Sequence, residues 1–190
     1  MILCATTDFV TGQYALAQSN DSIALLQSYI DREEKKCIYK VLGPTLGDLI
    51  IAYIQGGKSP AVTRYDNIIA AFYLQNTTDL SYGWISREDG FRHPAFFDSY
   101  GLKDLLLNNI YYYYATETTM YHSQAGVVNS KVDTASDPGA SNTFRFAEQK
   151  WNKSGFDTWL AIRWRCLYYE ASTYPEFAGI PPIVKYGSLF

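Results

Sequence analysis

Reactive and linking side chains are scarce in this 190-residue chain, which holds three cysteines and two histidines. Cys4, Cys37 and Cys166 form no C-x-x-C pair and no short-spaced framework. An odd, scattered set reads as reduced thiols in a protein made in the cytosol, not as a disulfide scaffold. His93 and His122 lie far apart, with no H-E-x-x-H, so the sequence offers no metal-ligand cluster and no cofactor is expected. Charge is sparse at 18%, and 16 basic residues against 19 acidic leave −3. That excludes a surface that is basic throughout, as a general nucleic-acid magnet would be. Long greasy runs are missing too. The longest, Leu46 to Ile54, is too short for a bilayer and carries Asp48. Ala15-Leu16-Ala17 has the look of a leader cleavage site, but the first basic residue is Arg32 and Asp8 interrupts the apolar run, so no secretory leader is expected.

Aromatic residues are abundant at 16%, with 17 tyrosines. Tyrosine buries ring area while its hydroxyl finds a partner, which suits extensive contact surface. Hydrophobic residues make up 47%, enough for a globular chain with a real core.

The pattern along the chain predicts a mainly α protein. The expected architecture is a bundle of about four to five helices with an extended arm or small β-hairpin and an extended C-terminal tail. Residues 1–20 read as irregular. A first helix is expected from about Asp21 to Leu42, capped by Asn20 or Asp21 and stopped by Gly43-Pro44, with Ile23, Leu26, Ile30, Cys37, Ile38 and Val41 at helical spacing. Arg32, Lys35 and Lys36 take the opposite side. Pro44 opens a second helix, Thr45 to Ile54, and Pro60 a third, about Ala61 to Gln75. Residues 76–99 read as loop. The helix expected from Tyr100 to His122 is apolar nearly all round, so it is either central or also meets another chain. Residues 123–142 hold the arm, with Gln124 to Val132 its extended part. A last helical region, about Thr143 to Ser172, is broken or kinked at Asn152 to Gly155. The domain is thus expected over 21–172 and the apolar, proline-punctuated tail over 173–190.

Motifs for chemistry fail on spacing or context. Gly56-Gly57-Lys58-Ser59 resembles the end of a phosphate loop, but position 52 is Ala and a helix, not a strand, precedes it. There is no G-x-S-x-G or G-x-G-x-x-G. Lys150, Lys153, Arg163 and Arg165 alternate with Trp151, Trp159 and Trp164, a pattern nucleic-acid binders use, yet on a helix these residues point in different directions. Two charges interrupt apolar faces: Glu34 on the first helix and Arg163 on the last. A buried charge needs a partner, so the two are expected to pair with each other, or each with a tyrosine hydroxyl or a backbone group.

The order of these motifs resembles the head-to-tail connector (adaptor or neck) proteins of tailed bacteriophages. Ile30, Glu34, Ile38, Val41, Leu42 and Gly43, followed by Leu46, Leu49 and Ile50, are similar to that family's opening helix pair. Tyr100-Gly101-Leu102-Lys103, the aromatic run Ile110 to Tyr114, Gly126-Val127-Val128, Ala147 and Lys150-Trp151-Asn152 through Phe156-Asp157 resemble the versions in crAss-like and related gut phages, with Trp151 where tyrosine is usual. The resemblance implies a non-enzymatic virion protein forming a ring, dodecameric in the family, at the portal–tail junction. Its partners would be copies of itself, the portal protein, further neck or tail proteins, and DNA passing through without sequence-specific binding. Ring closure needs two different patches per subunit. The expected contact residues are Tyr111, Tyr112 and Tyr114, Val127 and Val128 in the arm, and Phe177, Ile180, Ile183, Val184, Tyr186, Leu189 and Phe190 in the tail. The alternatives are another neck or tail-completion protein, or a small helical nucleic-acid-binding module.

Overall fold

The computed structural model describes residues 2–16, 20–58, 62–75, 96–123, 126–129 and 139–178. The chain is mainly helical with small antiparallel β-structure. Among the described residues no helix is long and apolar enough to cross a membrane.

Helix α1 spans Asn20–Leu42. Leu26, Tyr29, Ile30, Cys37, Ile38, Val41 and Leu42 form its buried stripe, while Ile23, expected on that stripe, is exposed. Gly43 turns the chain, and Pro44 occupies the first turn of α2, Pro44–Gln55, where its missing N–H costs nothing. Beyond α2 the third helix is not the long one expected. A 3-10 turn, Thr63–Tyr65, leads into the single-turn α3, Asp66–Ile69, and then strand β1, Phe72–Gln75. The reason is non-local. β1 pairs antiparallel with β2, Phe96–Ser99, in the register Phe72↔Ser99 to Gln75↔Phe96, and that partner lies inside the stretch expected to be loop.

Helix α4, Leu102–Thr119, is the centre of the domain. It packs on α1, on α5 (Gly139–Lys150), on the π-helical turn that follows α5, and on α6 (Phe156–Trp164). Leu102, Leu105, Leu106, Leu107, Ile110, Tyr111, Tyr112 and Ala115 are all buried. Of the two readings its all-round apolarity allows, the central one holds within this chain. At its end β3, Met120–Ser123, pairs antiparallel with β4, Gly126–Asn129, so the arm finds its partner strand within the same chain.

The last helical region is widened rather than broken. Residues Trp151–Gly155 form a π-helical turn between α5 and α6, and the Phe156 amide reaches the Trp151 carbonyl five residues back. A second such turn, Arg165–Tyr169, ends the helix with Glu170 bonded to the Arg165 carbonyl at 2.8 Å. Gly155 is what lets the first turn close: a Cβ there would lie 2.8 Å from the Trp151 ring. Trp151, Trp159 and Ile162 join the main core, while Ala161 and Trp164 face the other way and pack on Leu74 and Phe97 of the small sheet. Phe97 and Trp164 stack at 4.6 Å.

The start of the tail is part of the domain. Tyr174 is fully buried and its hydroxyl donates to the Arg64 carbonyl at 2.6 Å; the Arg64 guanidinium meets Glu176 at 2.8 Å and the Thr173 carbonyl at 2.6 Å.

Gly101 joins β2 to α4 with φ +91°, and a Cβ there would lie 2.8 Å from the Ile69 carbonyl oxygen. Left-handed strain and a clash with backbone add together. Gly101→Ala is expected to lower unfolding free energy by about 2–4 kcal/mol, measured by urea denaturation.

Candidate functional site

The sequence marks Glu34 as a charge on a buried stripe, and the structure shows what it is for. Its side chain is 1% exposed and accepts three backbone N–H groups: Ile2 at 2.6 Å, Leu3 at 2.5 Å and Cys4 at 2.8 Å. A short N-terminal stretch, which cannot pair into a sheet or helix, thereby satisfies its amides on a side chain. The expected partner Arg163 takes no part. Arg163 is half-buried, with its guanidinium 5.9 Å from the centre of the Trp159 ring. α6 is covered on two sides, so Arg163 falls between the two buried faces rather than on one. The buried cation of this segment is Arg165. It donates to the Asn67 carbonyl at 2.5 Å, pairs with Glu170 at 3.3 Å and lies over the Phe72 ring at 4.1 Å.

Further along the N-terminal segment, Asp8 accepts the Ala5 amide and pairs with Lys103 of α4 at 2.8 Å. Tyr14 then enters a polar cluster in the core. Its hydroxyl donates to Asp104 at 2.7 Å and lies 2.6 Å from the Asn108 amide nitrogen, which also reaches Ser154 at 2.9 Å and the second Asp104 oxygen at 3.0 Å. Lys150 covers this cluster. Its ammonium donates to the Gln13 carbonyl and stands 4.4 Å from the centre of the Tyr14 ring and 5.0 Å from that of Phe146. Burial raises the Asp104 carboxyl above its ordinary range and the Tyr14 phenol above its own, and it lowers the Lys150 ammonium. Each shift disfavours the charged form, as desolvation requires.

Shifted acids and bases are candidates for catalysis. Here most of the polar atoms are turned on one another, the buried Asn108 Oδ1 alone among the cluster's side-chain oxygens having no hydrogen-bond partner, and together they tie the N-terminal segment to α4, α5 and the first π turn. The sequence reading missed this cluster. Its only signal was Asp104 and Asn108, one turn apart in the apolar first half of α4. The thiols are equally occupied with packing: all three are buried, and burial pushes Cys37 and Cys166 up to about 12 and Cys4 higher still. Among the described residues no group of three or more His, Cys, Asp or Glu side chains converges to hold a metal ion.

The basic–aromatic cluster of the sequence is dispersed. Lys150 caps the polar core, Arg165 is buried, Lys153 is exposed, and Trp151, Trp159 and Trp164 are core. The expected contact residues divide three ways. Tyr111 and Tyr112 are 6% and 8% exposed in the single chain, which leaves them almost no surface for a neighbour; central placement of α4 is the cause. Tyr114 is half-buried, edge-on to Tyr29 at 5.5 Å, and Phe177 packs partly on the core. The side chains of Val127 and Val128, and residues Ile180, Ile183, Val184, Tyr186, Leu189 and Phe190, lie outside the described residues.

Surplus apolar surface sits where the sequence did not place it. On the outer face of the β1–β2 sheet Tyr73 is 60% exposed and Phe96 50%, their rings stacked at 5.4 Å, and Tyr100 stands exposed just beyond β2. Fold and site together define a mainly helical domain with an occupied polar core and an uncovered aromatic sheet face. Comparison with known proteins adds no relative: no family model, no curated protein and no solved structure matches the chain.

Glu34→Ala leaves three amides without their acceptor and is expected to cost about 3 kcal/mol in chemical denaturation, with Glu34→Gln intermediate. Asp104 supplies a pH test. Its folded-state value is raised, so its contribution to stability is whole below the ordinary carboxyl value of about 4 and is lost as pH rises through the raised value. The melting temperature of the wild type relative to Asp104→Asn should therefore fall as pH rises from 3 toward 7; a rise would reverse the assignment.

Proposed function

We propose that the protein is a structural component of a virion, a head-to-tail connector subunit that assembles with copies of itself into a ring at the junction of portal and tail. The observation that carries the reading is the uncovered aromatic face. Tyr73 and Phe96 stand on a sheet whose other face is fully used against α6, and stacked exposed rings are the kind of surface that subunit contact buries. The N-terminal ties support it differently. Glu34, Asp8 and the Tyr14–Asp104–Asn108 cluster fix a segment whose regular structure is two short 3-10 turns, Thr6–Phe9 and Gly12–Tyr14, as a subunit carrying mechanical load would require. The apolar residues from Ile180 to Phe190 supply a second contact segment distinct from the sheet face, as head-to-tail closure demands. Portal, neighbouring neck or tail proteins and transiting DNA are the partners this role entails, and the virion neck is its place.

The structure refines where to cut the tail. Tyr174 belongs to the core, so the informative truncation ends at Ala178. That variant should melt within a few degrees of the full chain. Unlike the full chain, it should fail to form rings, read by light scattering and electron microscopy with and without portal protein. A full chain that neither self-assembles nor joins portal particles, or a truncated one that joins them normally, overturns the assignment.

A further inference from the structure

The two faces of the β1–β2 sheet are treated differently by the chain. The inner face sends Leu74 and Phe97 against Ala161 and Trp164. Outward stand Tyr73 and Phe96, 60% and 50% exposed in the single chain, with their rings stacked at 5.4 Å. Asp98 lies directly across from Tyr73 in the strand register, and Tyr100 is exposed just past β2. Paired exposed rings on so small a sheet are an anchor site, of the aromatic kind that carries most of the energy in a contact. Because they are open in the single chain, their cover comes from outside it.

The sequence holds a segment of matching chemistry. Beyond the last described residue, Ala178, residues 179–190 read Gly-Ile-Pro-Pro-Ile-Val-Lys-Tyr-Gly-Ser-Leu-Phe, with Lys185 the one charged side chain. Pro181 and Pro182 fix φ, and each restricts the residue before it to extended backbone. Ile180 to Ile183 is thereby predisposed to the polyproline II form, which aromatic surfaces bind at low cost in entropy. Lys185 is opposite in sign to Asp98, the one charge of the two strands. Residues 76–95, which join the strands, suit such a face less, with Asp79, Arg87, Glu88, Asp89 and Arg92 among them. The tail also has the reach. Fully extended, residues 179–190 span at most about 40 Å, roughly the width of a domain this size. Tyr174 and Glu176, both held on Arg64, fix its root to the domain it leaves.

We propose that the tail of one copy of this chain, through Ile180 to Ile183, docks on the Tyr73–Phe96 face of a second copy. The two patches are then the two halves of one contact. Each copy gives a tail and receives one, which is the heterologous arrangement. The inference rests on the reading of the protein as self-assembling and names the surfaces that meet; it does not depend on portal protein, on DNA or on the number of copies.

The test is complementation between full-length variants, read by sedimentation velocity over rising concentration. The wild-type chain should associate. Y73S/F96S, which keeps its tail, and I180S/I183S, which keeps its face, should each associate about 30-fold more weakly. Mixed in equal amounts they should form a 1:1 complex, because one working tail and one working face remain between them. If Y73S/F96S does not fold, a fluorescent peptide of residues 179–190 takes its place and should bind full-length I180S/I183S. A wild type monomeric at every concentration, association that neither variant alters, variants that do not complement, or a peptide that does not bind overturns the proposal. A tail seated on its own sheet leaves the wild type monomeric, and so overturns it too. Association through tail and face by a chain that never joins portal particles defeats the connector reading alone; rings formed on portal protein as readily by either variant defeat this inference alone.

Discussion

Everything in this fold is arranged around a helix that has almost no outside. α4 is covered by α1, α5, the first π turn and α6, so a polar group on it must find its partner within the chain or remain unpaired. Asp104 and the Asn108 side-chain nitrogen do so by recruiting Tyr14 from the N-terminal segment and Ser154 from the π turn, while the Asn108 side-chain oxygen stays unpaired. The polar cluster is thus a consequence of burial rather than an addition to it. It also explains why a segment of short turns packs firmly: residues 2–14 carry donors that the helices need and receive acceptors in return.

The same burial decides what is left for partners. A helix with four consecutive tyrosines looks adhesive in sequence, yet the domain consumes two of those rings itself. Among the described residues, what remains outside includes the stacked sheet face of Tyr73 and Phe96 and the exposed side of α1. These two surfaces differ in character: one is aromatic, the other of mixed charge.

Much of the helical plan was legible because its signals are local. The stripe of α1, the Gly43-Pro44 junction and the apolar circumference of α4 each lie within one stretch of sequence. Glu34 was legible as a buried charge, with a backbone group among its expected partners; that the amides of residues 2–4 are that group was not legible, since they leave no mark in the sequence. Arg163 was misread because a single stripe was assumed for a helix covered on two sides, and the buried cation proved to be Arg165. β1 was read as helix because its partner strand lies more than twenty residues away, beyond any local window. The widened turn at Trp151–Gly155 was legible only as an irregularity. Its glycine signals a break, whereas the large ring of Trp151 occupies the space a side chain at position 155 would fill.

The route of the N-terminal segment sets an order of events in synthesis. Residues 2–4 can settle on Glu34 once α1 exists, but Gln13 and Tyr14 fasten to Asp104 and Lys150, which leave the ribosome far later. This segment, made before the helices it binds, is therefore among the last to be secured. Contacts between such distant positions close slowly, because the intervening loop must be ordered first. Until they close, the core cluster to which Phe9 and Tyr14 belong is incomplete, and the nascent chain presents to its surroundings apolar surface that the finished one conceals.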